Sequence, residues 1–270
     1  MNRLEAVTVC VDYADYLEEV LPILLPQVDD LVVVTTPDDG RTHRVCKRYG
    51  VRFLPTRCFY RDGEKFNKAR GINYGLANLK LDGWVLHIDS DIVLPLRTRY
   101  LLKEMALDPR KLYGCDRVHC VGRAAWDELK ARPEVQYEWS CLVQPPRRWS
   151  LGARIAHMEY GGYCPIGFFQ LWSPSGSGVT RYPRVGQGTA EHSDVLHAIQ
   201  WEREDRVLIP ELICVHLETK DKGDRRPMGQ NWAGRMTPEF NRDETPYRVA
   251  SARPLGAGAA SHPAYPSMNS

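Results

Sequence analysis

The N-terminal third of the chain alternates short, β-branched apolar runs with segments of helical spacing, and few architectures satisfy that alternation. Residues 7–11 (VTVCV), 31–35 (LVVVT), 51–54 and 84–88 (WVLHI) read as strands. Between the first two, Asp15-x-x-Glu18 has the form of a capping box opening a helix that Pro22 kinks and Pro26 ends. Residues 41–49 read as a short helix closed by Gly50, and Ile72, Leu76 and Leu79 make a buried stripe in a helix over 64–79. Repeated strand–helix–strand units imply an α/β fold: a mostly parallel central sheet flanked by helices.

The strand at 84–88 stops at Asp89-Ser90-Asp91. In open α/β sheets, ligands bind beyond the carboxyl ends of the strands, so an acidic pair there has a chemical reading. Two carboxylates one residue apart can direct oxygens at a divalent cation. The spacing alone decides little, because about one D-x-D is expected by chance in a chain of this Asp content; a solvated turn or a helix N-cap is the plain alternative. His216 lies within the apolar run 213–217 (ICVHL), as a core histidine or as a further ligand. Glu191-His192-Ser193-Asp194 follows Gly186-Gln187-Gly188 and opens a helix near 192–201, where a carboxylate serves as a cap or as a general base.

The rest of the chain is less regular. A helix is expected over 98–106, a strand over 111–121, a strand with a bend over the Gly- and aromatic-rich 161–172, and a last strand over 213–217. With 43% hydrophobic and 26% charged residues, disorder as the main state is excluded. The longest apolar runs fall far short of the roughly 18 residues a membrane span needs. The chain enters its first strand almost at once, so no signal peptide is expected. Eight cysteines without a C-x-x-C pair point to free thiols and a cytoplasmic setting. The net charge of +2 names no partner, although most of the 36 basic residues are arginine, whose planar fork suits phosphate. Residues 1–244 are expected as one domain and 245–270, rich in Pro, Ala, Gly and Ser, as a flexible tail.

Phe66-Asn67-Lys68-Ala69-Arg70-Gly71-Ile72-Asn73-Tyr74-Gly75 resembles the F-N-[RK]-A-x-x-x-N-x-G segment that precedes the D-x-D strand of β-1,4-galactosyltransferases, in order and in distance to Asp89. With Asp89-Ser90-Asp91, the Gly-rich 161–172, the G-x-G…E-x-x-D stretch ending at Asp194 and the strand residue His216, the chain over 5–235 resembles a GT-A glycosyltransferase. The likeness is to the family 2 kind and to its galactosyl- and N-acetylgalactosaminyltransferase relatives.

The resemblance implies transfer of a sugar from a nucleotide-sugar, with UDP as the carrier, to a hydroxyl of a glycan or glycolipid, with inversion. It implies Mn²⁺, or Mg²⁺, held by Asp89, Asp91 and His216, with the mixed Asp/His set favouring Mn²⁺. Phe66 would pack on the base, while Lys68 and Arg70 bring positive charge to the phosphates and Asn73 and Ser90 complete the donor site. Asp12, Tyr13, Thr35, Asp38 and Asp39 would reach the base or ribose, although Thr35-Thr36-Pro37 stands where family 2 members carry an acidic run. Arg235 would fold over the phosphates, Phe168, Gln170 and Trp172 would hold the acceptor, and Asp194 or Glu191 would be the base.

Three other readings stay open. The arginine excess, with Arg147-Arg148 and Arg181 and Arg184 near aromatic residues, fits the same chemistry on a modified base in DNA. A nucleotidyltransferase uses a similar sheet, but residues 11–15 lack the glycine and basic residue such enzymes place after strand one. The E-D dipeptide usual at the base is broken by His192 and Ser193, which fits a non-catalytic nucleotide-sugar binding protein.

Overall fold

A computed structural model describes residues 3–64, 66–132, 156–158, 161–183, 193–218 and 232. Among them, eight strands form one sheet: β1 (Leu4–Val9), β2 (Asp30–Thr35), β3 (Arg52–Pro55), β4 (Trp84–Ile88), β5 (Ile92–Val93), β6 (Leu112–Val121), β7 (Phe169–Trp172) and β8 (Arg206–Glu218). Their spatial order is β3-β2-β1-β4-β7-β6-β8-β5. The helices are α1 (Ala14–Leu24), α2 (Gly40–Tyr49), α3 (Lys68–Leu76), α4 (Thr98–Glu104), α5 (Arg123–Lys130), α6 (Pro174–Ser177) and α7 (Ser193–Ala198). No helix of the described residues is long and apolar enough to cross a membrane.

The first four strands pair in parallel, as the alternation implies. Beyond β4 the pairing becomes mixed, within a sheet in which four of the seven pairings are parallel. β7 runs antiparallel to both β4 and β6, β5 runs antiparallel to β8, and only β6 and β8 return to parallel pairing. A four-residue strand in an irregular segment carries no direction in its sequence, so the antiparallel pairings of this half are not legible there.

Strand period decides which face each side chain covers. Leu4, Ala6, Leu31 and Val33 join α1, Val45 of α2 and Trp126 of α5 in one core. Val7, Val9, Val32 and Val34 join Phe59, Ile72 and Leu76 of α3, and Val195 of α7 in a second core across the sheet. Strands covered on both sides must be apolar on both, hence LVVV.

The local signals hold in part. α1 starts at Ala14 with Tyr13 at the cap position and no side-chain cap, so Asp15 falls inside the first turn and the expected capping box is absent. Glu18 instead pairs with Arg48. Pro22 sits within α1, and the Glu18 carbonyl that it leaves without an intrahelical donor accepts from Tyr49 Oη at 3.3 Å. α2 is capped by Asp39 and closed by Gly50 in the left-handed region, φ 66°. α3 begins at Lys68 rather than near 64, because residues Cys58–Gly63 form a separate tight turn and Asn67 Oδ1 caps the helix by accepting from Arg70 N–H at 3.0 Å. Gly75 lets α3 lie directly on the sheet: a Cβ there would meet Val7 Cγ2 at 2.4 Å and Val34 Cγ2 at 2.8 Å.

Candidate active site at the switch between β1 and β4

The strand order reverses direction between β1 and β4, and such a switch opens a crevice at the carboxyl ends of the two strands. Asp12 follows β1 and Asp89-Ser90-Asp91 follows β4, so the fold places both on this crevice. α3 brings in Lys68, whose Nζ lies 2.6 Å from Asp89 Oδ1. β8 brings in His216, whose Nε2 lies 3.3 Å from Asp91 Oδ2. Asp91 Oδ1 is buried without a hydrogen-bond partner among the described residues. Ser90 turns inward and is buried.

The two acids are electrostatically unequal. Burial lifts the Asp89 carboxyl above its ordinary range, and the Asp91 charge adds to that lift while Lys68 opposes it. Burial pushes Asp91 up as well, but His216, Lys68 and Arg117 outweigh it and hold the group below its usual range. Two partly buried carboxylates, one with an unsatisfied oxygen, beside an imidazole nitrogen, are a donor set that fits a divalent cation of the Mn²⁺ kind.

Asp194 stands at the other side of the crevice, at the start of α7. Its Oδ2 accepts from Gly167 N–H at 2.7 Å and its Oδ1 from Val195 N–H at 2.8 Å, which fixes the carboxylate. Its negative charge is felt at Asp89. A buried network ties the two sides together. Gln170 Nε2 donates to the carbonyls of Pro165 and Asp194, so its Oε1 is left to accept from Tyr182 Oη–H. Tyr182 Oη, 2.7 Å from His87 Nδ1, must then accept from that nitrogen, leaving His87 Nε2 bare at 3.7 Å from Asp89 Oδ1. Burial holds His87 neutral, well below the usual histidine range.

Several residues expected at the site do other work. Asp39 serves α2: its oxygens accept from Thr42 N–H, Thr42 Oγ1–H at 2.6 Å, Asp12 N–H at 2.9 Å and Thr35 Oγ1–H at 3.3 Å. Asp39 and Thr35 thereby hold the Asp12 turn, where φ is 60°, rather than facing the crevice. Asp38 pairs with Arg57 at 3.3 Å on the surface. Tyr13 leans its ring on Tyr16, 5.2 Å away. Phe66 is buried and stacked on Phe59 at 4.9 Å, so it is core rather than a base platform. The Arg70 guanidinium is committed to Asp62 and Glu64 at 2.7 and 3.2 Å. Asn73 clamps the backbone of Tyr182 with two hydrogen bonds, 2.8 and 3.0 Å. Phe168, Gln170 and Trp172 are all buried, with Trp172 Nε1–H donating to Val179 O, so the expected acceptor platform is interior packing and cannot stack on a sugar. Glu191, Arg235, the 186–188 loop, Arg147, Arg148, Arg184 and the 245–270 tail lie outside the described residues.

Three residues at the site were missed from sequence. Arg117 of β6 lays its guanidinium over Phe168, Cζ to ring centroid 4.6 Å, in the field of Asp91, Asp89 and Glu218. It makes no ion pair within the described residues, and burial lowers its pKa. His119 of β6 and Glu218 of β8 flank His216. The H-x-E spacing of His216 and Glu218 within one strand puts both on one face and was a readable signal.

No protein-family model and no curated protein matches the chain. Among solved structures it is similar to a mycobacterial protein, at 16% identity and TM-score 0.47 over 84% of this chain and 69% of that one. It is similar to glucosyl-3-phosphoglycerate synthase from Mycobacterium tuberculosis in complex with UDP, at 15% identity and TM-score 0.46 over 84% and 74%. A third likeness, to mannosyl-3-phosphoglycerate synthase from Rubrobacter xylanophilus, has 16% identity and TM-score 0.36 over 50% and 49%. Likeness at this level assigns no residue a role.

Proposed function

We propose that the chain is a metal-dependent glycosyltransferase of the GT-A kind that moves a sugar from a nucleotide-sugar, UDP-linked, to an acceptor hydroxyl with inversion. The observation that carries the reading is the acid pair at the β1/β4 crevice, with Asp91 Oδ1 buried and without a hydrogen-bond partner among the described residues. Asp89 and Asp91 would hold Mn²⁺, with His216 Nε2 in reach of the same place. The ion would neutralise charge on the departing diphosphate. Lys68 adds a fixed positive charge beside Asp89, suited to the same diphosphate. Asp194, oriented by Gly167 N–H, would take the proton of the acceptor hydroxyl as it attacks; Glu191 is the rival base.

The resemblance supports a glycan or glycolipid acceptor. Arg117 favours a second reading, in which the acceptor carries a carboxylate or phosphate, because a half-buried guanidinium near Asp89 and Asp91, with no ion pair among the described residues, is a place for an anion. Thermal unfolding of the full chain with UDP, with and without Mn²⁺, tests the donor half. Saturating UDP with Mn²⁺ at 100 times Kd adds about 2.7 kcal/mol and a higher Tm. No shift with any nucleoside diphosphate in Mn²⁺ removes the reading.

A further inference from the structure

α2 carries Arg41, Arg44, Lys47 and Arg48 and no acidic residue, in a chain whose net charge is +2. Helical spacing gathers the four cations into one arc of about 120°, on the far side of the helix from Thr42, Val45 and Cys46. Those three are buried, while all four cations are exposed. The result is a basic stripe about 10 Å long, facing away from the core.

The acids around the stripe are committed elsewhere. Glu18 of α1 pairs with Arg48, Asp38 pairs with Arg57 at 3.3 Å, and Asp39 is buried as the cap of α2. Arg41, Arg44 and Lys47 make no side-chain hydrogen bond or ion pair among the described residues. Cations in the first turns of a helix oppose its dipole, and like charges three or four residues apart repel, so the stripe works against α2 rather than for it. Helix stability does not account for the arrangement; an anionic partner does.

We propose that the outer face of α2 docks the phosphate backbone of duplex nucleic acid, with Arg41, Arg44 and Lys47 as the phosphate contacts. The surroundings select this partner. A helix that lies on a membrane needs an apolar face to insert, and a groove for single strands needs aromatic side chains on which bases stack. The large apolar side chains exposed among the described residues are Tyr74, Leu96, Tyr100, Met158 and Ile199, and none belongs to α2 or to α1 and β3, which pack against it. A duplex is held by cations on its phosphates alone, and the arginine fork matches a phosphate. α2 starts at the carboxyl end of β2, and its cap Asp39 accepts from Asp12 N–H at 2.9 Å, so the stripe begins at the sheet edge on which the β1/β4 crevice opens. The surface goes beyond the transfer reading and does not depend on it.

Fluorescence anisotropy of a short labelled DNA duplex, titrated with the full chain in the absence of nucleotide and metal, tests this. The wild type binds, and its affinity falls about 40-fold between about 50 and 200 mM salt, the slope for three phosphate contacts. The triple variant Arg41→Gln, Arg44→Gln, Lys47→Gln loses at least about 100-fold in affinity at the lower salt. A second triple, Lys80→Gln, Lys103→Gln, Arg110→Gln, removes the same charge from exposed positions on other elements and keeps the wild-type affinity and slope. Because the second triple and the wild-type salt slope need no change in α2, they decide the matter even where the first triple folds poorly. No binding by the wild type at about 50 mM salt, equal loss in both triples, full binding by the α2 triple, or capture of phosphatidylserine vesicles with the duplex ignored overturns the proposal.

Discussion

Acidification should destabilise the chain through His197, by an amount its surroundings set. The ring is fully buried, stacked on Tyr182 at 3.8 Å and edge-on to Trp172 and Trp201 at 4.7 and 5.2 Å. Burial alone pushes its pKa down from 6.5 to about 3. Above pH 6.5 the ring is neutral whether the chain is folded or not, and the group adds no pH dependence. Between pH 6.5 and 3 the unfolded chain binds a proton that the folded one refuses, so stability falls with pH and levels off only below the folded pKa. At pH 5 the loss is 1.5 units at about 1.4 kcal/mol each, or about 2 kcal/mol. Urea unfolding of the wild type and of His197→Gln, each at pH 7.5 and pH 5, isolates this share, since other titrating groups contribute to both proteins alike. The wild type should lose about 2 kcal/mol more than the variant. Equal losses would refute the burial argument and the packed network between α7 and β4 that rests on it.

Two further outcomes separate core from chemistry. Trp172→Ala should cost about 3–5 kcal/mol in urea unfolding, as a buried indole does, instead of selectively raising an acceptor KM in an otherwise stable protein. Asp194→Asn should lower kcat about 10²–10⁴-fold in a transfer assay while leaving donor affinity intact, since the proposed reading gives this carboxylate, held by Gly167 N–H, the acceptor proton and no contact with the donor.

The early strands and their acid pair were legible because each depends on local chemistry. A strand apolar on both faces has to lie inside a sheet, and LVVV and WVLHI do. The helix stop at Gly50 needs only a left-handed residue. Asp89, Asp91, Lys68 and His216 meet from three separate segments, and it was the resemblance to GT-A enzymes that put them together. What failed depends on neighbours distant in sequence. Phe66 and Trp172 look the same in sequence whether they face a ligand or the core; Phe59 and Val179 decide, and nothing local names them. Asp39 was given to the donor site through the resemblance, where family 2 members carry an acidic run after the second strand, but Thr42 three residues on makes it an N-cap instead. His119 escaped notice because only the register of β6 on β8 brings it beside His216.

The claim that the β1/β4 crevice is a metal-dependent sugar-transfer site is tested most directly by release of UDP from UDP-sugars by the full chain, with Mn²⁺ or with excess chelator, for the wild type and Asp91→Asn. The account predicts turnover by the wild type with Mn²⁺, none in chelator, and at least about a 100-fold loss in Asp91→Asn, the scale expected when charge stabilisation at the leaving group is removed. Undiminished turnover in chelator, or in Asp91→Asn, would contradict it.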